Sequence, residues 1–265
     1  MNRFSLMLAA LAAAGALAGC GASSDTFNPD VVAQAADKTA SAGGAKMAIT
    51  MSADGQTLKG NGFADAKGRT ARVTMALPQG AGDMTTVFVG RAIYMRFPPQ
   101  LQKSVPGGKA WVKLDLDRFG KKTGIDFQGL QSTSGSDPSG QLDQLRGAGD
   151  VKKVGTEKVR GTDTTHYSAT IDLRKAADRA PPAQRESVRR SIDKIIKLSG
   201  QRTVPMEVWI DKAGRARRMK FTQKQQGKTV EATMDLYDFG TREAIKAPPA
   251  SETKDITDVA AQQAG

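Results

Sequence analysis

The sequence predicts an α+β fold dominated by a single antiparallel sheet of about ten to eleven strands. Three observations point there. Short runs with apolar residues at alternate positions recur from Lys46 to Phe239. Gly-containing turns join them, as at Asp54-Gly55, Arg160-Gly161 and Ala213-Gly214. Segments with helical spacing are few, and the clearest of them runs from Pro182 to Leu198.

At the N-terminus, Met1-Asn2-Arg3 supplies one positive charge, Phe4 to Ala18 carries none, and small residues follow, which is the layout of a secretory signal. Its apolar run of roughly fifteen residues is shorter than the roughly twenty that a membrane-crossing helix needs. The run ends at Cys20, the only cysteine of the chain, so no internal disulfide can form; with His166 as the only histidine, a Cys/His zinc site is also excluded. Leu17-Ala18-Gly19-Cys20 resembles the lipobox of bacterial lipoproteins. That resemblance implies a signal peptide over residues 1–19, attachment of lipid to the Cys20 sulfur, and a lipidated N-terminus and tether over 20–28. Export, with anchoring by lipid to the outer face of the cytoplasmic membrane, is the expected localisation.

Hydrophobic residues make up 39% of the chain, enough for a sizeable core, whereas aromatics at 5% argue against stacked platforms for sugars or bases. The net charge is +12, and of the charged residues only Arg3 lies in the leader. An exported basic domain rarely meets nucleic acid, so the charge is expected to serve solubility, anionic headgroups or acidic wall polymers.

Asn28-Pro29 opens a first helix as N-cap and first-turn proline, Val31, Val32, Ala35 and Ala36 form its apolar stripe, and Ser41 to Gly44 end it. Met47, Ile49 and Met51 then alternate, the chain turns at Asp54-Gly55, returns through Leu58, turns at Lys67-Gly68 and resumes with Val73, Met75 and Leu77. Gly60 and Gly62 inside one strand predict sharp curvature. Val87, Val89, Ile93, Met95 and Phe97 continue the meander across Gly90, and Ala110 to Leu116 adds another strand. Residues 120–137 read as a mobile polar loop, followed by a short helix from Asp137-Pro138 to Arg146. A hairpin around Arg160-Gly161 precedes the amphipathic helix, whose Val188, Ile192 and Ile195 form the apolar line, while Arg185, Arg189, Arg190, Lys194 and Lys197 stay largely off it. Three last strands, Val204–Asp211, Ala216–Gln225 and Thr229–Phe239, lead to Pro248-Pro249 and a polar tail.

Catalysis finds little support. Ser191-Ile192-Asp193-Lys194 and Lys122-Thr123-Gly124 resemble elements of penicillin-binding enzymes, but they stand in the reverse order, and Ser251 to Lys254 repeats the serine pattern in the tail. His166 lies mid-strand and the sequence has no Gly-x-Ser-x-Gly elbow. No phosphate loop, His-Glu-x-x-His helix or acidic calcium loop occurs, so no cofactor and no metal is expected. Met47, Met51, Met75, Met84, Met95, Met206, Met219 and Met234 all fall in predicted strands, where their side chains suit either an ordinary core or an adaptable apolar wall.

At "VGTEKVRGTDTTHYSATIDL", "VPMEVWIDKAGRARRM" and "YDFGTREAIKAPPASE" the chain resembles the LppX/LprA/LprF/LprG-like lipoproteins of actinobacteria, relatives of the LolA fold. The resemblance covers residues 29–256, leaving 257–265 as a flexible tail. It implies a half-open, strongly curved antiparallel barrel with helices on its concave side, enclosing an apolar cavity for lipid or glycolipid acyl chains, and no enzyme activity. From alternation, the expected cavity wall comprises Ile49, Met51, Val73, Met75, Leu77, Val87, Val89, Ile93, Met95, Val208, Ile210, Met219, Phe221 and Met234. The five basic residues of the amphipathic helix are the expected membrane-surface contacts, and anionic headgroups or an envelope transporter the further partners. The alternative is a non-catalytic envelope sensor of the same fold, with a filled core, binding a partner protein or an anionic wall polymer.

Overall fold

A computed structural model describes residues 30–65, 67–102, 108–127, 151–178, 180, 182–225 and 228–264. The expected signal, Cys20 and the tether lie outside the described residues, as do most of the expected polar loop and the whole short helix that follows it.

After helix α1 (Asp30–Ser41), strands β1 (Gly44–Ala53), β2 (Gln56–Asp65), β3 (Thr70–Ala76), β4 (Asp83–Val89) and β5 (Ala92–Arg96) form a meander. A short helix α2 (Pro99–Gln102), strand β6 (Trp111–Asp115) and helix α3 (Leu116–Thr123) follow. The second half holds β7 (Lys152–Val159), β8 (Thr162–Asp172), α4 (Leu173–Ala177), α5 (Arg185–Ser199), β9 (Thr203–Asp211), β10 (Ala216–Gln225) and β11 (Lys228–Thr241). A last strand β12 (Thr253–Asp255) and helix α6 (Thr257–Ala264) end the described chain. All twelve strands form one open sheet in the order β12-β6-β5-β4-β3-β2-β1-β11-β10-β9-β8-β7, antiparallel except where β12 joins β6.

Turn chemistry sets the hairpins. Asp54 and Gly55 have φ of 50° and 75°, and Arg160 and Gly161 have 48° and 80°, the paired left-handed conformations that two-residue hairpin turns require. Curvature comes from the glycines of β2. A Cβ on Gly60 would lie 2.6 Å from the Thr74 carbonyl oxygen and 2.5 Å from the Met75 sulfur, and one on Gly62 would collide with the Arg72 carbonyl, so only glycine lets β3 approach so closely.

The sheet curls until its two ends are joined by helices. β6 and β8 stand next to opposite edges of the sheet, yet the segments that follow them meet. The Asp126 amide donates to Ser191 Oγ at 2.8 Å, Ser187 Oγ donates to the Asp126 carboxylate at 2.5 Å, and Lys194 Nζ donates to the Thr123 carbonyl at 2.8 Å. Val32, Ala35 and Ala36 of α1 are fully buried among inner-face residues of β1 and β8 to β11, and Leu173 links that core to a smaller one formed by Val188 and Ile192 of α5. Helix α1 therefore lies on the concave side, with α5 joined to its core through Leu173.

Two expectations need correction. Residues 116–123, read as the end of a strand and the start of a loop, form α3: the Asp115 carboxylate accepts from the Arg118 amide as N-cap, and Gly124 at φ 68° ends the helix. Residues 257–264, expected to be a flexible tail, form α6 instead. Thr257 is fully buried, accepting through Oγ1 from the Asp115 amide at 2.9 Å, and Arg118 and Lys122 of α3 pair with Asp255 and Asp258.

Candidate functional site

Cross-strand register sorts the expected wall residues by face. Met47, Ile49 and Met51 stand opposite Leu236, Met234 and Ala232 on β11; Met234 and Ala232 stand opposite Met219 and Phe221 on β10; and Met219 and Phe221 stand opposite Val208 and Met206 on β9. In the other direction Ile49 faces Gly60, which faces Met75. Gly62 faces Val73, Val73 faces Thr86 and Thr86 faces Met95. Tyr167 of β8 faces Val208 and Leu114 of β6 faces Ile93, and directly paired residues share a face, so one apolar strip runs across ten strands on the concave side. Ile49, Met51, Val73, Met75, Ile93, Met95, Val208, Ile210, Met219, Phe221 and Met234 belong to it. Leu77 lies just past β3, where its amide donates to the Gly82 carbonyl at 2.9 Å to close the hairpin.

Val87 and Val89 do not belong. Val87 pairs with Arg72 and Tyr94 on the convex face, and Val89 shares its parity. The inward residues of β4 are Met84, Thr86 and Phe88. This strand is apolar on both faces, so its alternation has no unique phase: Phe88 packs inward while Val87, 5% exposed, is covered on the outside. Leu58 and Leu114 are further inward residues absent from the expected wall, and the register of Leu58 with Met51 and of Leu114 with Ile93 places them.

The two halves of the strip differ in packing. Beneath α1 it is closed, with Met206, Val208 and Met219 at 1%, 1% and 0% exposure, whereas Phe221 and Met234 on β10 and β11 are half-buried. On β1 to β5, Met47 and Met75 are buried at 2% and 8% exposure, but Ile49, Val73, Met84, Phe88, Ile93 and Met95 remain half-buried and Met51 is 37% exposed. The strip thus offers a continuous apolar surface that is filled at one end and accessible at the other.

The basic helix α5 is largely neutralised by its own neighbours. Arg189 pairs with Asp178, Arg190 with Glu186, and Lys194 is spent on the Thr123 carbonyl. Arg185, half-buried with its Nε inaccessible, and Lys197 have neither an ion pair nor a hydrogen bond among the described residues. A cleft of about 480 Å³ between α3 and α5 is lined by Arg91, Lys121 and Arg190 together with the carboxylates of Asp117 and Asp126, and Arg91 pairs with Asp117. Ser191 is fully buried, donating to the Ser187 carbonyl and accepting from the Asp126 amide, so both roles of its hydroxyl are structural. His166 stacks on Trp209 with ring centroids 4.1 Å apart, its ring nitrogens facing Glu207 and Glu157. Among the described residues no group of three or more His, Asp or Glu could hold a metal ion, and no helix is long and apolar enough to cross a membrane.

No protein-family model matches the chain. The structure of the lipoprotein LppX of Mycobacterium tuberculosis superposes with a TM-score of 0.51 at 13% identity, covering 83% of this chain and all of that one. The chain has the fold of LppX. Among curated proteins, an uncharacterized 31.2 kDa protein of Streptomyces griseus is 30% identical over 161 residues, 59% of this chain and 51% of its own length. A protein of Streptomyces coelicolor named as a lipoprotein is 26% identical over 201 residues, 74% of this chain. The chain thus spans little more than half the length of these relatives, at 51% and 59%. Within the LppX fold, the concave strip is the surface that the open sheet and its helix layer jointly surround.

Proposed function

We propose that this chain is a membrane-tethered lipoprotein that holds the acyl chains of a lipid or glycolipid against its concave face and carries or presents them at the outer face of the cytoplasmic membrane. The observation that carries this reading is the apolar strip, closed beneath α1 and half-exposed from β1 to β5. An acyl chain laid along it would leave water at about 0.8 kcal/mol per methylene, and unbranched methionines adapt to flexible chains. The lipobox at Cys20 supports the tether, and the relative named as a lipoprotein supports export. Catalysis plays no part in this reading.

The closed packing beneath α1 favours a second reading, an interaction lipoprotein whose core is already filled. Native mass spectrometry of the chain purified from a lipid-containing exported source separates the two. A reproducible, extractable lipid at defined stoichiometry is the expected result. A clean protein mass that also resists loading with added lipid would transfer the assignment to the interaction protein.

A further inference from the structure

The convex face carries a second concavity of a different chemistry. After β11 the chain crosses this face as a strap to reach β12 at the far edge. Between strap and sheet lies a groove of about 840 Å³, within the range of small-molecule sites. Its floor is a row set by register: Asn61 faces Thr74, Thr74 faces Thr85, Thr85 faces Arg96 and Arg96 faces Trp111. These residues stand on five adjacent strands and so span roughly 19 Å at the sheet spacing.

The charge of the groove is unbalanced. Lys46, Arg72, Arg96 and Lys246 line it against the single carboxylate of Glu243. Lys46 is held by Asp238 at 2.9 Å and Arg72 by Glu243 at 2.6 Å. Arg96 and Lys246 are exposed and have neither an ion pair nor a hydrogen bond among the described residues. Two unpaired cations therefore flank a line of amide and hydroxyl groups that ends on an indole.

This combination narrows the ligand. An acyl chain would gain nothing from Asn61, Thr74 and Thr85, and a peptide joining as a strand needs an open sheet edge, whereas the groove runs across strands on a covered face. A row of hydrogen-bonding groups repeating at the strand spacing matches the repeat of pyranose rings in an extended oligosaccharide. A guanidinium pairs a carboxylate in a bidentate fork, and a half-buried indole offers an apolar platform to a sugar ring. The low aromatic content of the chain is no obstacle, because Trp111 is the one ring this row uses. We propose that the convex groove binds an acidic oligosaccharide, with Arg96 pairing a uronate carboxylate, Trp111 carrying a ring, and Asn61, Thr74 and Thr85 bonding ring hydroxyls. The site lies on the face opposite the apolar strip and does not depend on the acyl-binding reading.

The test is calorimetric titration of the full chain with tetragalacturonate, with maltotetraose as the neutral control and tetrapolyphosphate as the charge control. Saturable binding of tetragalacturonate is expected, at least about tenfold tighter than either control. Arg96→Gln should weaken it at least about tenfold. Lys153→Gln, on edge strand β7, should leave it unchanged. Because Arg96 is exposed, its variant should keep the wild-type melting temperature, and a Thr74→Val, Thr85→Val double variant gives an independent readout of the hydroxyl row. Absence of saturable binding, equal affinity for tetrapolyphosphate, or selective binding untouched by Arg96→Gln would each overturn the proposal.

Discussion

Gly60→Ala tests the origin of the sheet's curvature. Gly60 stands between Ile49 and Met75 on the concave face, and an added Cβ would meet the Met75 sulfur at 2.5 Å and the Thr74 carbonyl oxygen at 2.6 Å. The sulfur ends a flexible side chain and can swing away. The carbonyl belongs to the neighbouring strand and can retreat only if β3 moves off β2, which strains the ladder. Overpacking of this kind costs about 1–3 kcal/mol, partly offset by about 0.4–1 kcal/mol from the stiffer unfolded chain. For a domain of this size a net loss of about 1–2 kcal/mol lowers the melting temperature by about 2–8 °C. Gly155→Ala is the internal control: its Cβ would meet nothing within 4 Å, so the entropy gain stands alone and the melting temperature should hold or rise. Melting temperatures for the two variants that agree within 1 °C, by a two-state thermal melt, would refute the reasoning.

Two further outcomes follow from the polar framework. The Asp211 carboxyl is almost inaccessible, and burial alone would raise its pKa; the Arg215 amide and the Arg217 and Arg215 side chains outweigh burial and hold it below the ordinary carboxylate range. Its stabilising effect is therefore complete above the unfolded pKa of about 3.9 and is lost as pH falls through the lower folded value. Asp211→Asn should cost about 1–3 kcal/mol at pH 7 in denaturant titrations, and the difference from wild type should shrink as pH drops below about 4. Ser191→Ala removes the hydroxyl that accepts from the Asp126 amide, so hydrogen exchange at Asp126 should accelerate while amides in the central strands β1 and β11 stay protected.

Much of this architecture was legible because local chemistry and global fold agree. Asp54-Gly55 adopts the turn its residue types favour, Gly161 supplies one of the left-handed positions of its hairpin, β9 keeps Met206, Val208 and Ile210 on one face, and Val188 and Ile192 define the buried line of α5. The failures have physical causes. β4 carries apolar residues on both faces, so Val87 and Phe88 give no single phase. α3 begins directly at the last strand residue, where Asp115 serves both elements, and a helix so short presents little periodicity. β12 has only three residues, and α6 is held by Thr257 and by ion pairs to α3, contacts that no pattern within residues 253–264 reveals. The convex row of Asn61, Thr74, Thr85 and Arg96 depends on registry among separate hairpins, which single-strand alternation does not encode.

The most direct test of the account is photo-crosslinking with a fatty acid that carries a diazirine in mid-chain, followed by peptide mapping. Acyl binding on the concave strip predicts adducts at Ile49, Met75, Met95 and Met234, with none at Thr85 or Val87 on the convex face. Adducts concentrated on the convex residues, or labelling no greater than that of the denatured chain, would contradict it.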